Sequence, residues 1–319
     1  MGGRHGTVRA RGRAILAGSA LLLAAACHRQ LPSDVVRASS LSVEQLQPPA
    51  GELALPKRAG SVRFAVIGDS GRGDTAQNDV AAQMVTWRQK FPFDLVLMLG
   101  GNIYDRHTAE DYAAKFERPY KPLLDAGVTF QAAIGNHDDA AQIRYEKFNM
   151  GGQRYYTFRK SDQPLGRVTG GGVRFFVLDS RSFDPEQLAW LEKGLEQSGS
   201  RWKIVYFHHP IYTSGRYGNA AQTLRSVLEP LLVRGDVDVV LSGHEHFYER
   251  FLPQRGIIYF ISGAAGSLRA HDIRPSNSMA RGFDTDYSFM LMEISGDELF
   301  FQAISRAGET VDAGVITKQ

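Results

Sequence analysis

The chain has 319 residues, 43% apolar and 22% charged, which suits one large or two modest globular domains and excludes a disordered chain. Its formal net charge of +3 comes from the N-terminus, where Arg4, Arg9, Arg11 and Arg13 face no acidic residue before Cys27. Without residues 1–26 the balance is 33 Lys+Arg against 34 Asp+Glu, a charge of −1, which excludes a global electrostatic footprint for nucleic acid.

Residues 1–26 read as an export signal: an Arg-rich start, an apolar run from Ala14 to Ala26, and small residues before Cys27. The run is too short to span a bilayer. Cys27 is the only cysteine, so it forms no intramolecular disulfide. Its position resembles the lipid-attachment site of bacterial lipoproteins, although Leu23 stands one place earlier than the leucine such signals usually carry. The expectation is an exported protein held at a membrane by a lipid on Cys27 in the bacterial cell envelope, or otherwise one that is periplasmic or secreted. Residues 27–60, with Pro32, Pro48, Pro49 and Pro56, read as a flexible tether, and 61–319 as the folded domain.

From Val62 onward, apolar runs at 64–67, 95–99, 130–134, 175–178, 204–207 and 237–241 predict buried strands. Helix-period stretches at 74–90, 109–125, 184–197 and 220–234 alternate with most of them. After Gly243 the helices stop, and 257–262, 289–294 and 299–304 predict successive strands, the last two joined by a Ser-Gly-Asp turn. The pattern predicts one α/β domain, a four-layer α/β/β/α sandwich of two packed mixed sheets flanked by helices.

Five motifs close predicted strands, where ligand groups gather in α/β sheets: Gly68-Asp69-Ser70-Gly71, Gly100-Gly101-Asn102-Ile103-Tyr104, Gly135-Asn136-His137-Asp138, Phe207-His208-His209-Pro210 and Gly243-His244-Glu245-His246. Each alone is also consistent with ordinary polar loops or local hydrogen bonding. Together they offer oxygen and imidazole donors of the kind that hold water-activating metals. His244 and His246, two apart, can address neighbouring ions. Asn136 can ligate through its amide oxygen while Asp138 orients His137. Of His208 and His209, one can ligate while the other stands behind it. His107 and His271 carry no motif and read as surface residues.

The set resembles the calcineurin-like metallophosphoesterases, and within them the purple acid phosphatases of the tartrate-resistant type, over roughly residues 61–310. Gly71 after Asp69-Ser70, Tyr104 closing the second motif and the run Glu245–Arg250 carry the closer resemblance. It implies Asp69, Tyr104 and His246 as ligands of one metal, typically ferric iron, and Asn136, His208 and His244 as ligands of a second, divalent iron, zinc or manganese. It implies His137 as general acid, supported by Asp138, with His209 beside the reacting group. A phenolate at Tyr104 favours a trivalent ion and hence acid-pH activity. Arg216 and Tyr217, in the loop after the His208-His209 strand, are candidate substrate contacts or simply a solvated loop.

One position departs from the pattern. The family has an aspartate bridging both metals where this chain has Gly101. Two divalent ions about 3.5 Å apart repel by roughly 20 kcal/mol before bridging anions offset it. Asp105 and Asp74 are candidate replacements for the missing carboxylate. The expectation is hydrolysis of phosphomonoesters at a dinuclear site, weakened at Gly101. The alternatives are a phosphodiesterase or nucleotidase on the same fold, or a non-catalytic protein that binds metal or phosphate.

Overall fold

The computed structural model describes residues 40–161 and 172–319, together with Gly2. Cys27 and the expected export signal lie outside these residues. In chain order the elements begin with β1 (Leu41–Gln45), β2 (Val62–Ile67), α1 (Thr75–Lys90) and β3 (Leu95–Met98). There follow α2 (Ala109–Tyr112), which runs into a π turn at Ala113–Glu117, α3 (Lys121–Asp125), β4 (Thr129–Ala132), β5 (Tyr156–Lys160) and β6 (Val173–Val177). Next come α4 (Pro185–Glu196), β7 (Trp202–Phe207), α5 (Gly218–Arg234), β8 (Val239–Ser242), β9 (Tyr248–Phe251) and β10 (Ile258–Ser262). The chain closes with β11 (Met279–Phe283), β12 (Ser288–Ser295), β13 (Glu298–Ser305) and β14 (Thr310–Lys318).

These strands make two seven-stranded mixed sheets, ordered β1-β14-β13-β12-β2-β3-β4 and β11-β9-β10-β8-β7-β6-β5. Strands β2, β3 and β4 run parallel in the first, and β6, β7, β8 and β10 run parallel in the second. The pleat sorts each strand between two cores. Phe64 and Val66 of β2 face Phe175, Val177, Ile204 and Tyr206 of the other sheet, whereas Ala65 and Ile67 turn to Val80, Met84 and Trp87 of α1. On the far side Phe176, Val205 and Val240 pack on Leu191 and Leu195 of α4 and Leu228 and Leu232 of α5. The expected α/β/β/α layering is therefore the observed one.

Three differences from the sequence pattern have local causes. The tether expected over 27–60 ends early: Leu41–Gln45 pairs antiparallel with β14, and Gln302 and Glu293 accept backbone amides of Ala54, Lys57 and Arg58. Ser42, Glu44 and Gln45 hide this edge strand from an apolar-run criterion. The helix expected over 109–125 is broken, because Pro119 has no N–H and cannot reach the Lys115 carbonyl one turn back. That carbonyl instead accepts the Gln77 amide at 2.6 Å. The half-polar strands β5, β9, β11 and β14 also had no apolar run to announce them. Among the described residues no helix is long and apolar enough to cross a membrane.

Candidate metal centre

The five motifs follow β2, β3, β4, β7 and β8, and the fold brings these strand ends together along one edge shared by both sheets. Close approach depends on missing side chains. A Cβ on Gly100 would stand 2.5 Å from His208 Nδ1, and one on Gly71 would stand 2.0 Å from the Asn102 carbonyl oxygen. Asp69 and His244 hold left-handed backbone at φ 54° and 69°, a conformation costing roughly 1–3 kcal/mol for a non-glycine residue and concentrated at functional sites.

The donor atoms form two triangles. In the first, Tyr104 OH donates to Asp69 Oδ1 at 2.7 Å, and His246 Nε2 lies 3.2 Å from the phenol and 3.4 Å from the carboxylate. In the second, Asn136 Oδ1 lies 2.8 Å from His208 Nε2 and 3.1 Å from His244 Nδ1, with the two imidazole nitrogens 3.3 Å apart. Donors held about 2.1 Å from a common ion stand about 3.0–3.4 Å from one another in tetrahedral or octahedral geometry, so two edges of each triangle have the length of a coordination-face edge, and the third, 2.7 Å or 2.8 Å, is a hydrogen-bond length that an ion would open. His208 Nε2 and Asp69 Oδ1, 3.9 Å apart, join the triangles.

Neighbouring groups fix the donors. His208 Nδ1 donates to the Leu99 carbonyl at 2.9 Å, which leaves the Nε2 lone pair facing inward. Burial raises the Asp69 carboxyl, but His208 and His246 beside it outweigh this and hold it well below the usual range. Burial and the Asp69 charge push the Tyr104 phenol far up, against smaller opposing pulls from Ser267 and Arg72, so only a strongly charged ion would convert it to phenolate. Ser180 Oγ accepts the His209 amide at 2.9 Å, and its own proton is free for His209 Nδ1, also at 2.9 Å. With the serine as donor, the ring carries its hydrogen on Nε2. Burial and His208 push His209 down to about 4, so it is neutral at ordinary pH.

Some sequence-chosen residues take other places. Asp138 does not orient His137: its buried carboxylate accepts the amides of Gly101, Asn102, Ile103 and Gly135 at 2.7–3.1 Å, and the Gln142 side chain at 3.0 Å. It is a clamp between the loops after β3 and β4. His137 instead lies against the Tyr104 ring, centroids 4.7 Å apart. Tyr217 reaches the site and lies against His244, ring centroids 4.4 Å apart and planes tilted by 41°. Arg216 turns away, its guanidinium paired with Asp272 at 2.9–3.1 Å. Asp74 caps α1 through the Gln77 amide, and Asp105 is exposed at φ 64°, so neither carboxylate joins the donor triangles. A Cβ on Gly101, at φ 65°, would stand 2.7 Å from Asp69 Oδ1 and 2.8 Å from Asp69 Cα. Sequence reasoning missed Ser180, although Leu178-Asp179-Ser180 closes β6 in the same manner as the five motifs.

Two packed mixed sheets with metal-type donors at their shared strand ends define a phosphoesterase-type fold. The chain belongs to the calcineurin-like phosphoesterase family, whose model matches residues 62–248. It is 29% identical over 237 residues to purple acid phosphatase 17 of Arabidopsis thaliana, covering 66% of this chain and 70% of that protein. It is 25% identical over 268 residues to tartrate-resistant acid phosphatase type 5 of Oryctolagus cuniculus, covering 72% and 82%. Among solved structures, GAP50, described as the anchor in the inner membrane complex of Plasmodium, superposes with a TM-score of 0.69 at 18% identity over 81% of this chain and 89% of that one. The purple acid phosphatase PPD1 from yellow lupin (Lupinus luteus) seeds superposes with a TM-score of 0.63 at 16% identity, over 82% of this chain and 54% of that one. Both superpositions speak to fold.

Proposed function

We propose that this chain hydrolyses phosphomonoesters at a dinuclear metal site. The observation that carries the reading is the pair of donor triangles, each with two edges of coordination-face length. Asp69, Tyr104 and His246 would hold a ferric ion, and Asn136, His208 and His244 a divalent iron, zinc or manganese. Bound there, the ions acidify water and neutralise phosphate charge.

The chain's own residues do the rest. His209, with its hydrogen on Nε2, donates to a phosphoryl oxygen. His137 delivers a proton to the departing alkoxide. Tyr217, lying against His244, forms one wall of the site. Export and a lipid on Cys27 remain part of the proposal and place the substrate outside the cytoplasm.

Gly101 makes the two ion positions unequal. The anionic donors, Asp69 and Tyr104, lie in the first triangle, whereas the second has only neutral ones. The first therefore fills at lower metal concentration, and turnover is slow. That same inequality favours a second reading, a protein that binds metal or phosphate without turnover.

The test is metal content and phenyl phosphate hydrolysis of the purified full chain after supply of iron and zinc. One to two metals per chain with hydrolysis strongest at acid pH is expected. Fewer than one metal per chain and no hydrolysis would sink the enzyme reading, and bound metal without hydrolysis would select the non-catalytic one.

A further inference from the structure

The arginines around the donor cluster differ in how they are engaged. Arg181 is held bidentate by Asp179 and Arg216 by Asp272, while Arg269 donates to the Glu245 carboxylate from one terminal nitrogen and to the His244 carbonyl from the other. Arg72 has no carboxylate partner among the described residues. It is exposed, its guanidinium carbon stands 4.0 Å above the centroid of the Tyr104 ring, and Nε donates to the buried Ser267 Oγ at 2.9 Å.

These contacts orient the side chain and leave its outer edge unused. The ring and the serine fix the guanidinium plane, while both terminal nitrogens keep their donors without an acceptor among the described residues. A planar fork of free N–H groups is the donor array that matches a carboxylate or phosphate bidentately. His137 lies against the same Tyr104 ring and feels the Arg72 charge, so Arg72 borders the part of the cluster that holds the proposed proton donor. The imidazoles of His208, His209 and His244 lie within one small group elsewhere in the cluster, where the second ion is proposed and His209 would meet the phosphoryl group.

We propose that Arg72, positioned by Ser267 and Tyr104, forms an anion subsite that recognises a second negative charge on the leaving group of the phosphate ester. The inference rests on the phosphate-ester reading above and deepens it. The substrate class is a phosphomonoester whose alcohol portion itself carries a carboxylate or another phosphate. The assignment also relocates substrate recognition from Arg216, already satisfied by Asp272, to an arginine whose fork is open.

The test is calorimetric binding of two non-hydrolysable probes, phenylphosphonate and 4-carboxyphenylphosphonate, to the metal-loaded full chain at low ionic strength. The parent protein should prefer the carboxylated probe by roughly five- to tenfold, the range of a charge-assisted, partly solvated pair. In Arg72→Gln that preference should fall to near one, and Arg72→Lys should keep part of it, because charge survives and the fork does not. A preference that persists in Arg72→Gln, or a parent that binds both probes equally, overturns the subsite and leaves the phosphate-ester reading standing. Failure of both probes to bind the parent overturns that reading and the subsite with it. Arg72 is exposed, and unchanged melting temperatures of the variants separate these outcomes from misfolding.

Discussion

At the scale of single residues, Gly101 and Asp138 are bound to one another, since Asp138 accepts the Gly101 amide at 2.9 Å. Gly101→Asp would restore the missing carboxylate into left-handed backbone and against Asp69. Without metal the variant should lose about 1–3 kcal/mol of stability. With metal it should regain this through tighter binding, because a ligand that binds only the folded state stabilises it. Melting curves with and without a chelator check the reversal; a variant less stable under both conditions would show that the loop cannot accept the bridge. Asp138→Asn offers amide hydrogens to a nest of backbone donors, and should cost about 3 kcal/mol or more in the metal-free protein. A loss of hydrolysis with unchanged melting temperature would instead return Asp138 to a role on His137. The six candidate metal ligands could be nominated from the sequence because short motifs at strand ends resemble a family pattern that implies them. Asp138's clamp could not, because its partners are amides two loops away.

Among the elements, those with a strong apolar period were readable, and those held by long-range polar bonds were not. Helix α4 opens with an Asp184 cap and Pro185, both plain in the sequence. The break before α3 was equally open to reading at Pro119, but the compensation is not: Gln77, on α1, must arrive to occupy the Lys115 carbonyl. Gln77→Ala should therefore cost about 2 kcal/mol, more than its helix propensity would suggest, by leaving that carbonyl unpaired. Chemical denaturation measures it, and a cost under about 0.5 kcal/mol would mean that water takes the place of the amide. Strand β1 was illegible for the same reason, since its existence depends on β14 supplying the neighbouring edge.

Over the whole molecule, a buried charge makes stability depend on pH. Glu249, on β9, has its carboxyl pushed from 4.5 up to about 7 by burial, with only the Ser214 amide and side chain opposing, and Glu245 nearby adding to the rise. Between these values the folded protein keeps a proton that the unfolded chain has released, so this group makes the fold less stable as pH rises through the window. The amount is about 3 kcal/mol. Glu249→Gln should flatten the difference in melting temperature between about pH 5 and about pH 8, and an unchanged slope would assign the effect elsewhere. Metal titration followed by melting temperature should show two steps, the first triangle filling before the neutral second; a single step would mean that the two triangles bind as a unit.

Strand β1 also limits how far the molecule can travel. If Cys27 carries a lipid, strand β1 begins only 14 residues after it in the sequence, a separation that no chain conformation stretches beyond about 50 Å. A protein so moored would work in the thin layer of solution at the membrane surface, where negatively charged lipid headgroups would repel the phosphate esters proposed as its substrates.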